Sequence, residues 1–177
     1  MKKFELTNEF ITNMFGTKLF RIRALVEFGD VEAGELGGYV EKESNLGHDD
    51  NAWVYDNAWV YDNAWVYGDA QVSGDALVYD NARVYGNAWV YGNALVCGNA
   101  LVYDNAWVYG DAQVSGDARV CGNARVYGDA RVCGNGDYAY AHGFGSVNRT
   151  TTFFRLKDGG VGVRCGCFYG TIAQFRD

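Results

Sequence analysis

The sequence is short of the groups on which much catalysis and most anion binding depend. It contains only two histidines, and its 15 Lys and Arg are outnumbered by 22 Asp and Glu, for a net charge of −7. Phosphate-rich partners attract the opposite sign, so this balance argues against direct nucleic-acid or anionic-membrane binding. Nowhere do about 18 apolar residues run together, and the opening MKKFELTNEFITNMFGTK holds no apolar segment of signal length, which excludes a helical membrane span and places the chain in a cytoplasm. Cysteines number five. Cys97, Cys121 and Cys133 replace Tyr or Ser within a repeat, while Cys165 and Cys167 read as two residues of one strand with no second Cys/His pair nearby. No metal or cofactor is expected. With 49% hydrophobic and 16% aromatic residues in 177, the chain can bury one core and is not disordered.

What is present in abundance is repetition. From Asn51 to Gly134 fourteen consecutive six-residue units follow one another without insertion, each of the form [N/D]-A-x-V-[Y/S/C]-[G/D]. A period of six drifts around a helix, whereas A-x-V-y alternates with the strand period of two. Each unit is therefore one short strand and one turn, with Ala and Val inward and x and y outward. The last position holds only Gly or Asp and the next only Asn or Asp, residues that accept a left-handed backbone or bond their own turn. An antiparallel meander of such strands would leave the Ala/Val face uncovered; a coil with three corners encloses it. Three units per turn give about 4.7 coils of roughly 4.8 Å, a prism roughly 22 Å tall.

An inward Val with a small residue four positions on, repeated every six, resembles the hexapeptide-repeat left-handed parallel β-helix. Left-handedness follows from that resemblance alone. The best-known members are trimeric acyltransferases that use an acyl-CoA or acyl-carrier donor. The uniform N-A-x-V-Y-G units, preceded by FRIRALVEFGDVEAGELGGYVEKESNL, are more similar to hexapeptide proteins carried by bacteriophages and prophages, which implies a bacterial host cell. The expected fold is thus all-β: a hexapeptide-repeat solenoid over 51–134, an N-terminal strand cap with degenerate coils over 1–50, and a C-terminal capping hairpin over 135–177.

Solenoid ends expose strand edges and need atypical caps. LFRIRALVEF alternates Phe20, Ile22, Ala24, Val26 and Phe28 against Arg21, Arg23 and Glu27, a half-buried strand, and GDVEAGELGGYVEKESNL reads as one or two degenerate coils. TTTFFRLK, the turn KDGG and VGVRCGCF read as a hairpin. Thr171 and Gln174 have capping-box spacing; the helix they open is too short to stand alone, which fits a truncated end or one completed by a partner.

An acyltransferase needs a general base, for which only His48 and His142 are available. Both flank the regular units, and no long loop interrupts those units to build a pocket. In addition, DNAWVYGDAQVSGDA occurs at 62–76 and again at 104–118. The offset is seven units and not a whole number of three-unit coils, so the copy falls on a different face, which would scramble a site fixed to one face. The chain is accordingly read as a non-catalytic protein-binding scaffold rather than an enzyme. The proposed interface is the face bearing Trp53, Tyr55, Trp89, Tyr91, Trp107 and Tyr109, since exposed Tyr and Trp anchor interfaces. An alternative reading of the three tryptophans of the first coil is that the N-terminal cap folds over them. Asp62, Asp75, Asp80, Asp111 and Asp129 are expected along one acidic edge that could imitate DNA phosphates towards a nucleic-acid-binding protein. Self-association, and blocking of a host protein such as a component of bacterial defence, complete the expectation. A CoA-dependent acyltransferase and a polymer-forming structural protein are the alternatives.

Overall fold

The computed structural model describes residues 2–144 and 147–176. Three strands open the chain, β1 (Phe4–Thr12), β2 (Lys18–Ala24) and β3 (Leu36–Val40), followed by a single 3-10 turn at Glu43–Asn45. Fourteen short strands, β4 (Trp53–Val54) to β17 (Arg131–Val132), then contribute one each from the six-residue units. They stack in parallel, each on the strand three units further along, as in Trp53↔Gln71, Trp59↔Leu77 and Trp65↔Arg83. Three units therefore complete one coil, and successive coils build three parallel ladders. We call the faces A, B and C after the strands that begin at Trp53, Trp59 and Trp65.

Every Ala and every Val of the fourteen units is buried. Full burial of each Val is worth about 1.5 kcal/mol. Because the interior is triangular and narrow, the small Ala beside each corner lets the three ladders approach. The corners explain why the sixth position is restricted. Thirteen of the fourteen sixth residues, from Asp56 to Gly128, have positive φ, a region that only Gly, Asn and Asp enter at modest cost. Proline is absent from the chain, and each coil's backbone N–H groups remain free to bond the coil above.

The corners are also cross-linked by side chains. Seven Asn amides at the first position donate to the Asn or Asp one coil further on, from Asn51 to Asp69 at 2.8 Å through Asn99 to Asp117 at 3.0 Å. Sixth-position carboxylates do the same for the backbone: Asp56 accepts from Gly74 N–H, Asp80 from Gly98 N–H and Asp104 from Gly122 N–H.

At the N-terminal end the three faces are closed by three different devices. β3 runs parallel to the face B ladder, and Tyr39 and Glu41 N–H donate to the carbonyls of Ala58 and Val60. On face C the buried Asn45 amide donates to Asp62 and Ala64 carbonyls at 3.1 and 2.8 Å, and Gly47 N–H to that of Val66. On face A the ammonium of Lys3, 3% exposed, donates to Asp50 and Ala52 carbonyls. Burial lowers the Lys3 pKa to about 8.

β1 and β2 extend the face B sheet as an antiparallel hairpin, so one eight-stranded sheet runs from the cap into the coils. The half-buried strand expected to reach Phe28 ends at Ala24, where a turn begins. β1 was not anticipated, and one degenerate coil is present, made by β3 and Leu46, which bridges to Val66. At the other end the expected hairpin is the middle of a four-stranded antiparallel sheet: β18 (Tyr138–Phe144), β19 (Arg149–Arg155), β20 (Val161–Cys165) and β21 (Phe168–Thr171). Cys165 closes β20, while Gly166 and Cys167 form the turn to β21, so the two cysteines do not share a strand. Thr171 and Gln174 exchange hydrogen bonds at the start of α1 (Ile172–Arg176). No helix among the described residues is long and apolar enough to cross a membrane.

Candidate functional site

The outward side chains form columns, because the three-unit register places like above like. On face A the Trp89 and Trp107 rings stack at 5.2 Å and 6°, and Tyr91, Tyr109 and Tyr127 stack at 4.8 Å between neighbours. The spacing equals the separation of adjacent strands, so the ladder itself sets the rings in contact. Face C carries Tyr67, Tyr85 and Tyr103 in the same manner, and face B Tyr61 and Tyr79. Burial raises the pKa of Tyr61 to about 12 and that of Tyr79 still further, aided there by a hydrogen bond to Cys97.

The face A columns are bounded differently at their two ends. Towards the C-terminus the Arg125 guanidinium covers Trp107 at 4.4 Å, and Tyr169 caps Tyr127 at 4.3 Å. Towards the N-terminus the columns are interrupted by Gln71 and Ser73. These smaller side chains leave a notch of about 140 Å³ lined by Gln71, Ser73, Trp89 and Tyr91. Trp89 is 41% exposed there.

Of the six residues expected at an interface, Trp89, Tyr91, Trp107 and Tyr109 come together as one surface. Trp53 does not. Its ring is fully buried under Phe4 and Phe28, which meet it edge-on at 6.2 and 5.3 Å. The cap therefore folds over the first tryptophan, and Tyr55 beside it is half-buried against the same core. Trp65, on face C, remains 40% exposed.

The single acidic edge is also corrected. Asp62 and Asp80 close units on face B and lie on the edge between faces B and C, whereas Asp75, Asp111 and Asp129 open units on the edge between A and B. Asp62 is the last residue of its unit and Asp75 the first of its own, so no whole number of coils separates them and they cannot stack. The carboxylates are moreover engaged in the corner ladders: Asn57 donates to Asp75, Asn93 to Asp111, and the backbone of Gly98 to Asp80.

Both histidines lie away from the coils' middle. His48 stacks on Phe4 at 4.4 Å and accepts the Lys3 backbone N–H through Nδ1; burial lowers its pKa. His142 is exposed on β18, with Nδ1 2.8 Å from the Thr150 hydroxyl. The duplicated segment does fall on two faces, since Gln71 pairs with Trp89 on A and Gln113 with Leu95 on B.

The sequence reading missed a cavity of about 360 Å³ between the last coil and the C-terminal sheet, lined by Arg125, Arg149, Arg164, Asn123, Thr150 and Thr152, with Gly166. The signal was accessible only through strand register, which sets Thr152 opposite Arg164.

Parallel coils with a three-unit register, a sealed Ala/Val axis and a distinct cap at each end define a β-solenoid repeat protein. In agreement, residues 50–69, 70–86, 78–92, 94–110, 112–124 and 118–134 match the YdcK beta solenoid repeat family. The match covers the regular coils and, apart from Asp50, neither cap. No curated protein matches the chain.

Proposed function

We propose that this solenoid is a non-catalytic protein-binding scaffold whose working surface is the face A column of Trp89, Tyr91, Trp107 and Tyr109. The observation that carries the reading is the ordered, partly exposed ring stack beside the Gln71/Ser73 notch. Rings fixed by a rigid ladder lose little side-chain entropy on binding, and Tyr and Trp supply large contact area. A notch beside Trp89 receives an apolar side chain of the opposing surface. The first partner is a second copy of the chain. The same face then serves a host protein, and resemblance to phage-borne proteins supports a role in blocking a bacterial defence component in the host cytoplasm.

The test is the mass in solution, measured by sedimentation across a concentration series. The wild-type chain is expected to exceed the monomer mass, and Trp89→Ala with Trp107→Ala to return it to monomer while the melting temperature changes little. A wild-type monomer at all concentrations, with no host protein retained by wild type over the double variant, ends the proposal.

A further inference from the structure

The cavity at the C-terminal end concentrates positive charge in an otherwise acidic molecule. Arg125 comes from β16 in the final, incomplete coil, Arg149 from β19 and Arg164 from β20. Among the described residues no carboxylate lines it and none of these three arginines forms a salt bridge. Each is held in place by something other than an anion. The Arg125 guanidinium lies on Trp107, and its backbone N–H donates to the Thr152 hydroxyl at 3.0 Å. The Arg164 guanidinium lies over Tyr127 at 5.3 Å, and its buried Nε has no acceptor among the described residues. Arg149 crosses Gly166, where an added Cβ would fall 2.8 Å from its Cδ and 2.9 Å from Nη1; φ there is +59°. A side chain at position 166 would push the guanidinium aside.

The hydroxyls complete the arrangement. Strand alternation places Thr150 and Thr152 on the same face of the sheet as Arg164. Thr152 is 1% exposed, and because its oxygen accepts from Arg125 its own O–H remains free to donate. We propose that this cavity is a binding site for the phosphoryl group of a small phosphate monoester. A planar carboxylate is saturated by one bidentate arginine, whereas a tetrahedral dianion offers three oxygens to guanidiniums arriving from three directions. The volume lies at the lower end of small-molecule sites, about 300–1,000 Å³, so the group esterified to the phosphate fits as well. The site is independent of the aromatic notch.

Calorimetric titration of the full chain at low ionic strength tests it, with inorganic phosphate, glycerol 3-phosphate and acetate as probes. Both phosphates are expected to bind saturably at one site, and acetate about tenfold or more weaker. Arg149→Gln and Arg164→Gln should each weaken phosphate binding about tenfold. Arg131→Gln removes the same charge from face B and should leave it within about twofold. Circular dichroism verifies folding; if Arg164→Gln unfolds, Arg149→Gln at the rim decides alone. Absence of saturation, acetate binding as tight as phosphate, a folded Arg149→Gln with unchanged affinity, or equal weakening by Arg131→Gln would each overturn the site.

Discussion

The two ends of the solenoid are closed in opposite ways. At the N-terminus the cap continues the protein's own sheet, buries Trp53, and supplies cationic or amide donors, Lys3 and Asn45, to carbonyls that the first coil turns outward. At the C-terminus a separate sheet leans on the last coil, and the sheet and the turn leading into it supply oxygens to the coil's outward N–H groups: Thr152 Oγ1 of β19 to Arg125 N–H, and Asn135 Oδ1 and Asp137 Oδ2 of the turn to Arg119 and Cys133 N–H. Around Phe154 the lean is tight, and towards Arg149 it leaves the cavity. A parallel ladder presents donors and acceptors at both rims, and each must be satisfied locally. The difference teaches that one end is built as closure and the other as closure with room to spare.

That contrast can be broken by mutation. The largest effect is expected from Trp53→Ala, which removes a fully buried ring on which Phe4 and Phe28 of the cap pack and should cost about 3–5 kcal/mol. Phe154→Ala should lose similar local packing yet leave the main transition of the coils nearly in place, read by hydrogen exchange as lost protection in β18–β21 alone. Equal shifts of the global denaturation midpoint would show that the ends are not different. Next, Asn45→Ala strands one buried and one part-buried carbonyl and should cost about 2–3 kcal/mol in urea denaturation, against about 1 kcal/mol for Thr152→Val, which strands one N–H beside an open cavity.

The smallest effect is a slope. Lys3 has its pKa lowered from 10.5 to about 8 by burial, so between those values the unfolded chain holds a proton that the folded chain has released. Stability contributed at this site therefore rises with pH through that window. Tyr61, raised from 10.0 to about 12, acts in the reverse sense: its contribution is complete below pH 10 and is lost as pH climbs towards 12. Melting temperatures of Lys3→Met, compared with wild type from pH 8 to 10.5, should lack the rising component and retain the fall above it.

The coils were legible because each unit carries its own instructions. Ala and Val at alternate positions define the inside, and Gly or Asp at the sixth position defines the corner, so counting by threes along the units sorts the outward residues onto their faces. Reading failed where a position depends on a distant one. Trp53 looks identical to Trp89 within its unit, and only Phe4 and Phe28, brought over it by the cap, make it core. β1 is too polar at Asn8 and Glu9 to announce itself, and its pairing with β2 decides it. The acidic edge failed for a counting reason, because a corner joins the end of one unit to the start of the next. The arginine cavity needs the registers of β19 and β20 together with the end of face A, none of which is local.

The invariant step from coil to coil gives the molecule the character of a ruler. Excising the segment from Asp75 to Gly92 would withdraw one whole rung and bring the lysine-sealed base closer to the arginine-lined summit by about 4.8 Å, with every surviving column still in line. Excising a single unit instead would twist the upper part by one third of a turn and leave the tryptophans facing strangers. Span and orientation can thus be adjusted separately in this architecture, by whole turns for the one and by single units for the other.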